Sequence, residues 1–183
     1  AATAIAAGVM AQLWRPLPAD HPFPSGAHWA RALHGLRVRF DGKTGPLPPR
    51  LVAKAEGLFT DLIASSSAPV LIHADLHHYN ILAAQRAPWL ALDPHGVAGE
   101  REYEVGALLR NPFSRLPAAG ELRQIQARRV DQLADLLGFD RQRISGWGIA
   151  QAVLAACWSI EDHGAGWEDA IAYAEALDAG VSG

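Results

Sequence analysis

Residues 71–80 read LIHADLHHYN, which places three histidines, an aspartate and an asparagine within ten positions. The flanks set the context. "PVLIH" is short, apolar and β-branched, "YNILAA" is short, and "PWLALD" alternates, so three brief strands separated by polar loops are predicted within about 69–100. Farther out in both directions the apolar period becomes helical. Upstream, Ile5, Val9 and Leu13 recur about one turn apart. Trp29, Leu33, Leu36 and Phe40 do the same, as do Leu51, Leu58, Leu62 and Ile63. The intervening "RPLPADHPFPSG" carries four prolines and is expected to be irregular. Downstream, helices are predicted over 102–111, 119–138, 141–164 and 167–180, stopped by Pro112, Gly138 and Gly164. The expected fold class is therefore α+β and mostly helical. Helices fill about 1–66, the strand–loop–strand insert about 69–100, and a helical body about 102–180.

Composition narrows the function classes. The 183 residues are 50% hydrophobic and 19% charged with a net charge of −3, ordinary values for a globular protein. No Lys/Arg run is suited to tracking a nucleic-acid backbone, and Lys43 and Lys54 are the only lysines. Cys157 is the single cysteine, so no intrachain disulfide can form and a reducing cytoplasm fits. No stretch reaches the ~18 apolar residues of a membrane helix. Neither a nucleic acid nor a membrane is an expected partner.

Two motifs elsewhere are decoys. "DGKTG" lacks the first glycine of a phosphate-binding loop, since position 37 is arginine, and reads as a turn. "LVAK" resembles a kinase lysine strand, but it lies within a helical period and makes Lys54 a solvated helix residue. The polar cluster itself has three readings. It is a turn built from turn-forming residues. Alternatively, His73, Asp75, His77 and His78 are zinc ligands of a hydrolase. In the third reading, His73, Asp75 and Asn80 reproduce the H-x-D-x-x-x-x-N spacing of a phosphotransfer loop, followed thirteen residues later by Asp93-Pro94-His95-Gly96 at a strand end. Phosphoryl transfer asks for one carboxylate to take or orient the acceptor proton. It also asks for an amide oxygen and a second carboxylate to hold a divalent cation. The third reading accounts for all the spacings.

The stretch "LIHADLHHYNILAAQRAPWLALDPHGVAGEREYEVGALLRNP" resembles the aminoglycoside/hydroxyurea phosphotransferase family, as do "WRPLPADHPFP", "FDGKTGPLP" and "CWSIEDHG". The resemblance implies the C-terminal lobe of a protein-kinase-like fold and an ATP-dependent phosphotransferase acting on a small-molecule hydroxyl. It implies Asp75 as catalytic base, Asn80 and Asp93 as Mg2+ ligands, and His73 as a brace of the loop. His77 and His78 are expected to pack the loop or to contact substrate. Glu100 and Arg101 are expected to face the acceptor or to form a solvated ion pair. For a cationic acceptor such as streptomycin, Glu161 and Asp162 are the candidate carboxylates. Their place at a helix C-terminus, where the dipole disfavours acids, suggests a purpose other than helix stability.

The chain departs from the family pattern at three positions. Ala74 stands where a glycine precedes the aspartate, Tyr79 where glycine often precedes the asparagine, and His95 where lysine is frequent. By the same resemblance, residue 1 falls just after the hinge, so the nucleotide-binding N-terminal lobe is expected to be absent and the chain an inactive fragment. The face that would receive that lobe is expected to be apolar and capable of self-association. The alternatives are a non-catalytic small-molecule binding module and the metal-dependent hydrolase.

Overall fold

The computed structural model describes residues 1–112 and 116–181; residues 113–115, within the predicted helical body, and 182–183 lie outside the description. Seven α-helices are described: α1 (Ala2–Leu13), α2 (Gly26–Arg39), α3 (Pro49–Ala64), α4 (Val105–Leu109), α5 (Ala119–Leu137), α6 (Arg141–His163) and α7 (Glu168–Val181). Five short strands accompany them: β1 (Arg15–Pro16), β2 (Val70–Ile72), β3 (Ile81–Ala83), β4 (Trp89–Ala91) and β5 (Val97–Gly99). The molecule is mostly helical, with the strands gathered at the polar cluster.

α6 is the axis of the body. Every residue from Ile144 to Cys157 is buried, so the helix is surrounded on all sides, chiefly by α3, α4 and α7. Its glycines serve this packing. A Cβ on Gly148 would lie 2.8 Å from Leu177 Cδ1, and one on Gly146 would lie 3.2 Å from Leu62 Cδ1. Asp140 caps the start of α6, its Oδ1 accepting the Arg143 N–H at 2.8 Å, and Gly164 ends it in the left-handed region at φ 71°. One core cluster joins α2, α3, α6 and α7 through Leu36, Leu51, Phe59, Trp147, Leu154 and Tyr173. A second joins α1, α4 and α5 through Met10, Leu76, Leu109 and Leu133.

Two small antiparallel sheets support the loop. The first has the order β1-β2-β5, with Leu71 opposite Arg15 on one side and Ala98 on the other. The second is the hairpin of β3 and β4, in which Ile81 faces Ala91 and Ala83 faces Trp89. Two strands escape the sequence pattern. β1 forms inside the proline-rich stretch expected to be irregular, because Pro16 sits on an edge strand where a missing N–H is tolerated. β5 is Val-Ala-Gly, too short and too small to signal itself. Lys54 also differs from the solvated residue expected: with Arg50 it binds the buried carboxylate of Asp178, tying α3 to α7. Among the described residues no helix is long and apolar enough to cross a membrane.

Candidate active site

The chain leaves β2 at Ile72 and turns sharply at Ala74, whose φ is 68°. Ala74 is buried at 1% exposure, so the left-handed turn is held by its surroundings. Those surroundings are the carboxylate of Glu104, which is fully buried and accepts the His73 N–H at 2.7 Å and the Ala74 N–H at 2.9 Å. Burial pushes the Glu104 carboxyl up to about 7, against the pull of those two N–H groups. Left-handed strain at alanine costs ~1–2 kcal/mol, which glycine would relieve. Glycine would also lose a buried methyl worth ~0.8 kcal/mol and gain unfolded-state freedom. Ala74→Gly is therefore expected to fall within about 0.5 kcal/mol of neutral. Ala74→Val, β-branched at positive φ, is expected to cost about 2–3 kcal/mol. Denaturant unfolding of both variants checks the pair.

His73 is buried and uses both ring nitrogens. Nδ1 accepts the Asp75 N–H at 3.3 Å, and Nε2 donates to the Leu92 carbonyl at 2.8 Å. This fixes the neutral Nε2–H tautomer, and burial lowers the imidazole's pKa in the same sense. The His73 carbonyl accepts the His95 and Gly96 N–H groups at 3.0 and 3.4 Å. The loop is thus stapled to the Asp93–Gly96 turn from both ends of His73.

Asp75 lies at the mouth. Its Oδ1 accepts from Arg110 at 2.7 Å, while Oδ2 faces His77 Nε2 at 3.3 Å and Asn80 Nδ2 at 3.4 Å. Burial alone would raise this carboxyl's pKa. The His77 hydrogen bond and the Arg110 charge outweigh burial and hold it below the usual carboxylate value. His77 Nδ1 accepts the Tyr79 N–H at 3.2 Å, so Nε2 carries the proton turned toward Asp75. Asn80 Nδ2 donates to the Asp75 carbonyl at 2.9 Å, which leaves the amide oxygen of Asn80 for another partner. The Asn80 carbonyl in turn accepts the Leu92 N–H at 2.9 Å, bringing Asn80 within one residue of Asp93 across the hairpin. Asp93 is exposed, has a φ of 59°, and makes no hydrogen bond or ion pair among the described residues. An amide oxygen and a free carboxylate at one mouth are hard oxygen donors of the kind Mg2+ takes, so the residues present fit that ion.

The remaining candidates lie apart. His78 turns inward, its Nε2 3.5 Å from Arg129 with Nδ1 unpartnered, and burial lowers its pKa to about 4. Each imidazole of the loop is thus engaged within the protein, and among the described residues no three His, Cys, Asp or Glu side chains converge as a metal site. That removes the donor set the zinc reading needs. Glu100 is neither solvated nor at the mouth. It is 3% exposed, and its carboxylate binds Arg143 at 2.7 and 2.8 Å as well as the Trp147 indole N–H. Arg101 diverges from it and lies over the Trp14 ring. Glu161 and Asp162 are exposed at the end of α6 but part company. Glu161 lines a groove with Arg39 and Cys157, whereas Asp162 shares the helical stripe of Trp158. Trp158 stacks edge-on with Trp29 at 5.4 Å, and Trp29 with His95 at 5.3 Å, so a chain of rings runs from the Asp93 turn toward Asp162. Tyr79 stands outward at 59% exposure with its ring against His77.

Sequence reasoning missed Glu104 and Arg110 as site residues. Both lie within the segment that carries the resemblance, which was the one available signal. Neither has a local motif of its own.

An ionised carboxylate gripped by a guanidinium, beside two oxygen donors at paired strand ends, is an arrangement able to take a proton and hold a divalent cation. Residues 1–163 match the family described as aminoglycoside/hydroxyurea antibiotic resistance kinase, and the chain belongs to that family. It is 40% identical over 92 residues to a streptomycin 6-kinase of Streptomyces griseus, covering 50% of this chain and 30% of the relative. It is 37% identical over 108 residues to the streptomycin 6-kinase of Streptomyces glaucescens, covering 58% and 35%. A hydroxyurea phosphotransferase of Kitasatospora aureofaciens is 37% identical over 100 residues, covering 55% and 27%. The chain thus spans about a third of the length of these relatives, 27–35% by alignment.

Proposed function

We propose that the protein is an ATP-dependent small-molecule kinase that transfers the γ-phosphate to a hydroxyl of a cationic acceptor, an aminoglycoside such as streptomycin. On this reading residues 1–183 form the acceptor- and metal-binding lobe of a kinase-like fold acting in the cytoplasm. The observation that carries it is the Asp75 carboxylate, held ionised by Arg110 and His77 beside Asn80 and Asp93. Asp75 Oδ2 accepts the proton of the acceptor hydroxyl, because Oδ1 is occupied by Arg110. His77 orients that carboxylate, and His73 holds the loop against the Leu92 carbonyl. Asn80 Oδ1 and the Asp93 carboxylate would hold Mg2+, which when bound neutralises charge on the transferred phosphate.

Two surfaces extend the reading. Leu82, Leu90 and Leu92 share the hairpin face with Asn80, and Leu82 and Leu92 are 48% and 45% exposed. This apolar platform beside the metal residues is where we place the nucleotide side of the cleft. On the other side, Trp29, Trp158 and Asp162 suit a cationic acceptor, since indole faces and a carboxylate both attract guanidinium or ammonium groups.

The test is phosphate transfer from radiolabelled ATP to streptomycin, other aminoglycosides and hydroxyurea, using the full-length protein. Streptomycin is expected to be labelled, and Trp158→Ala to raise its KM about tenfold with kcat little changed, as expected for loss of uniform binding. A protein that binds ATP and labels nothing on the panel would sink the reading.

A further inference from the structure

Arg110 grips Asp75, yet little at its own side chain keeps it there. Among the described residues its guanidinium makes one hydrogen bond, to Asp75 Oδ1 at 2.7 Å, and its buried Nε has no partner. Its reach is therefore set by where the backbone at the end of α4 is held. That backbone is held by α5. Gln126 Nε2 donates to the Leu109 carbonyl at 2.9 Å, and Arg129 Nη1 donates to the Asn111 carbonyl at 2.8 Å. The two carbonyls flank Arg110, just where a helix leaves its last acceptors without partners of its own. Gln126 and Arg129 are three residues apart on α5 and so share one face.

The two donors differ in a way that stability alone does not explain. A neutral amide satisfies the Leu109 carbonyl, whereas a guanidinium serves Asn111. Arg129 is half-buried, burial works against its charge, and it pairs with no carboxylate among the described residues. Tyr173 and Arg128 are the groups whose charge it feels. What the guanidinium adds is a second arm. Its Nη2 faces His78 Nε2 at 3.5 Å, so one planar fork touches both the segment carrying Arg110 and the loop carrying Asp75. Asn111 directly follows Arg110, and His78 lies three residues beyond Asp75. The fork thus ties together the two chain segments whose side chains form the ion pair.

We propose, on the reading of Asp75 as the base, that Arg129 is a positioning residue of the phosphotransfer reaction. It acts through Arg110, keeping that guanidinium on Oδ1 so that Oδ2 stays aimed at the acceptor hydroxyl. A displacement of about 1 Å at a reacting group costs up to ~100-fold in rate, so a clamp of this kind carries a measurable part of kcat. Arg129 itself touches neither substrate nor metal.

Two measurements test this, one of them independent of any substrate. With streptomycin as acceptor, Arg129→Gln is expected to lower kcat about tenfold and to leave KM within about twofold. Arg129→Lys keeps the charge but not the fork, and is expected to lose about threefold. Arg128→Gln removes the same charge at the adjacent, exposed position and is expected to match wild type. Thermal unfolding sets a temperature at which every variant is folded. Nitrogen-15 spectra of the guanidinium groups then follow Arg110 directly. Its Nη2 protons, held by Asp75, are expected to exchange with water at least about tenfold faster in Arg129→Gln, and at the wild-type rate in Arg128→Gln. Where Arg129→Gln does not fold, Arg129→Lys carries the same comparison. Undiminished kcat in Arg129→Gln, full activity in Arg129→Lys, an equal loss in Arg128→Gln, or unaltered Arg110 exchange would each overturn the proposal. A wild-type protein that labels no acceptor removes the kinase reading alone, because the Arg110 signal still decides whether Arg129 holds it.

Discussion

Asp75→Asn is expected to lower phosphotransfer by about 10^3-fold while leaving the fold intact. Asparagine keeps the volume of the side chain, and its Oδ1 still accepts from Arg110, so the grip seen at 2.7 Å survives. What disappears is the negative charge and the lone pair that takes the acceptor proton, and the new NH2 faces the His77 Nε2–H that the carboxylate accepted, so the half-buried His77 ring must turn aside. The loss should appear in kcat with KM little altered, since a group that acts only as the proton moves contributes nothing to ground-state binding. Near-UV circular dichroism and thermal unfolding provide the control. A variant with native spectra and undiminished kcat would remove Asp75 from the chemistry.

The same carboxylate predicts a pH profile. Its pKa is held below the ordinary value, so activity that depends on ionised Asp75 is expected to persist through mildly acid pH and fall only below that value. Its stability contribution has the same sign: present above the unfolded-state value, and lost as pH falls through the depressed folded one.

The legibility of the molecule follows the range of the forces involved. Helices such as α3 and α5 are read from the sequence because burial of one stripe repeats every three or four residues, a local signal. The His73–Asn80 loop is legible for a related reason, since Asp75, Asn80 and Asp93 are carried on short strands and turns and so keep short spacings. What holds that loop is not local. Glu104 and Arg110 come from the turn and helix about thirty residues beyond it, and a carboxylate in "REYEVG" looks like any first-turn acid. Glu100 shows the same blindness in reverse: beside Arg101 it reads as a surface ion pair, yet its partner is Arg143 on α6 and its carboxylate is buried. β1 formed against its prolines because pairing with β2 supplied what local propensity denied.

The second large effect is expected at Glu104. Among the described residues its carboxylate is the sole acceptor for two buried N–H groups, so Glu104→Ala strands both and opens a void in a closed environment. Each buried unsatisfied group costs ~1–3 kcal/mol, giving about 3–5 kcal/mol in all. Glu104→Gln separates charge from shape. Its amide oxygen serves one N–H, but its NH2 meets the other donor head-on, so about 2 kcal/mol of loss is expected. The pH dependence carries the sharper signature. With its folded pKa raised to about 7, Glu104 binds its proton more tightly folded than unfolded. Between about pH 4.5 and 7 the unfolded chain has already ionised while the native one has not, so this group makes stability fall as pH rises. Glu104→Gln should erase that slope. The difference between the urea midpoints of the two proteins, taken at pH 5 and at pH 7, decides it: wild type should lose ground to Glu104→Gln as pH rises, and an unchanged difference would assign the titration to another group. His73 and His78, held neutral by burial, make stability rise with pH through the same range in both proteins, so comparing the two proteins cancels their contribution.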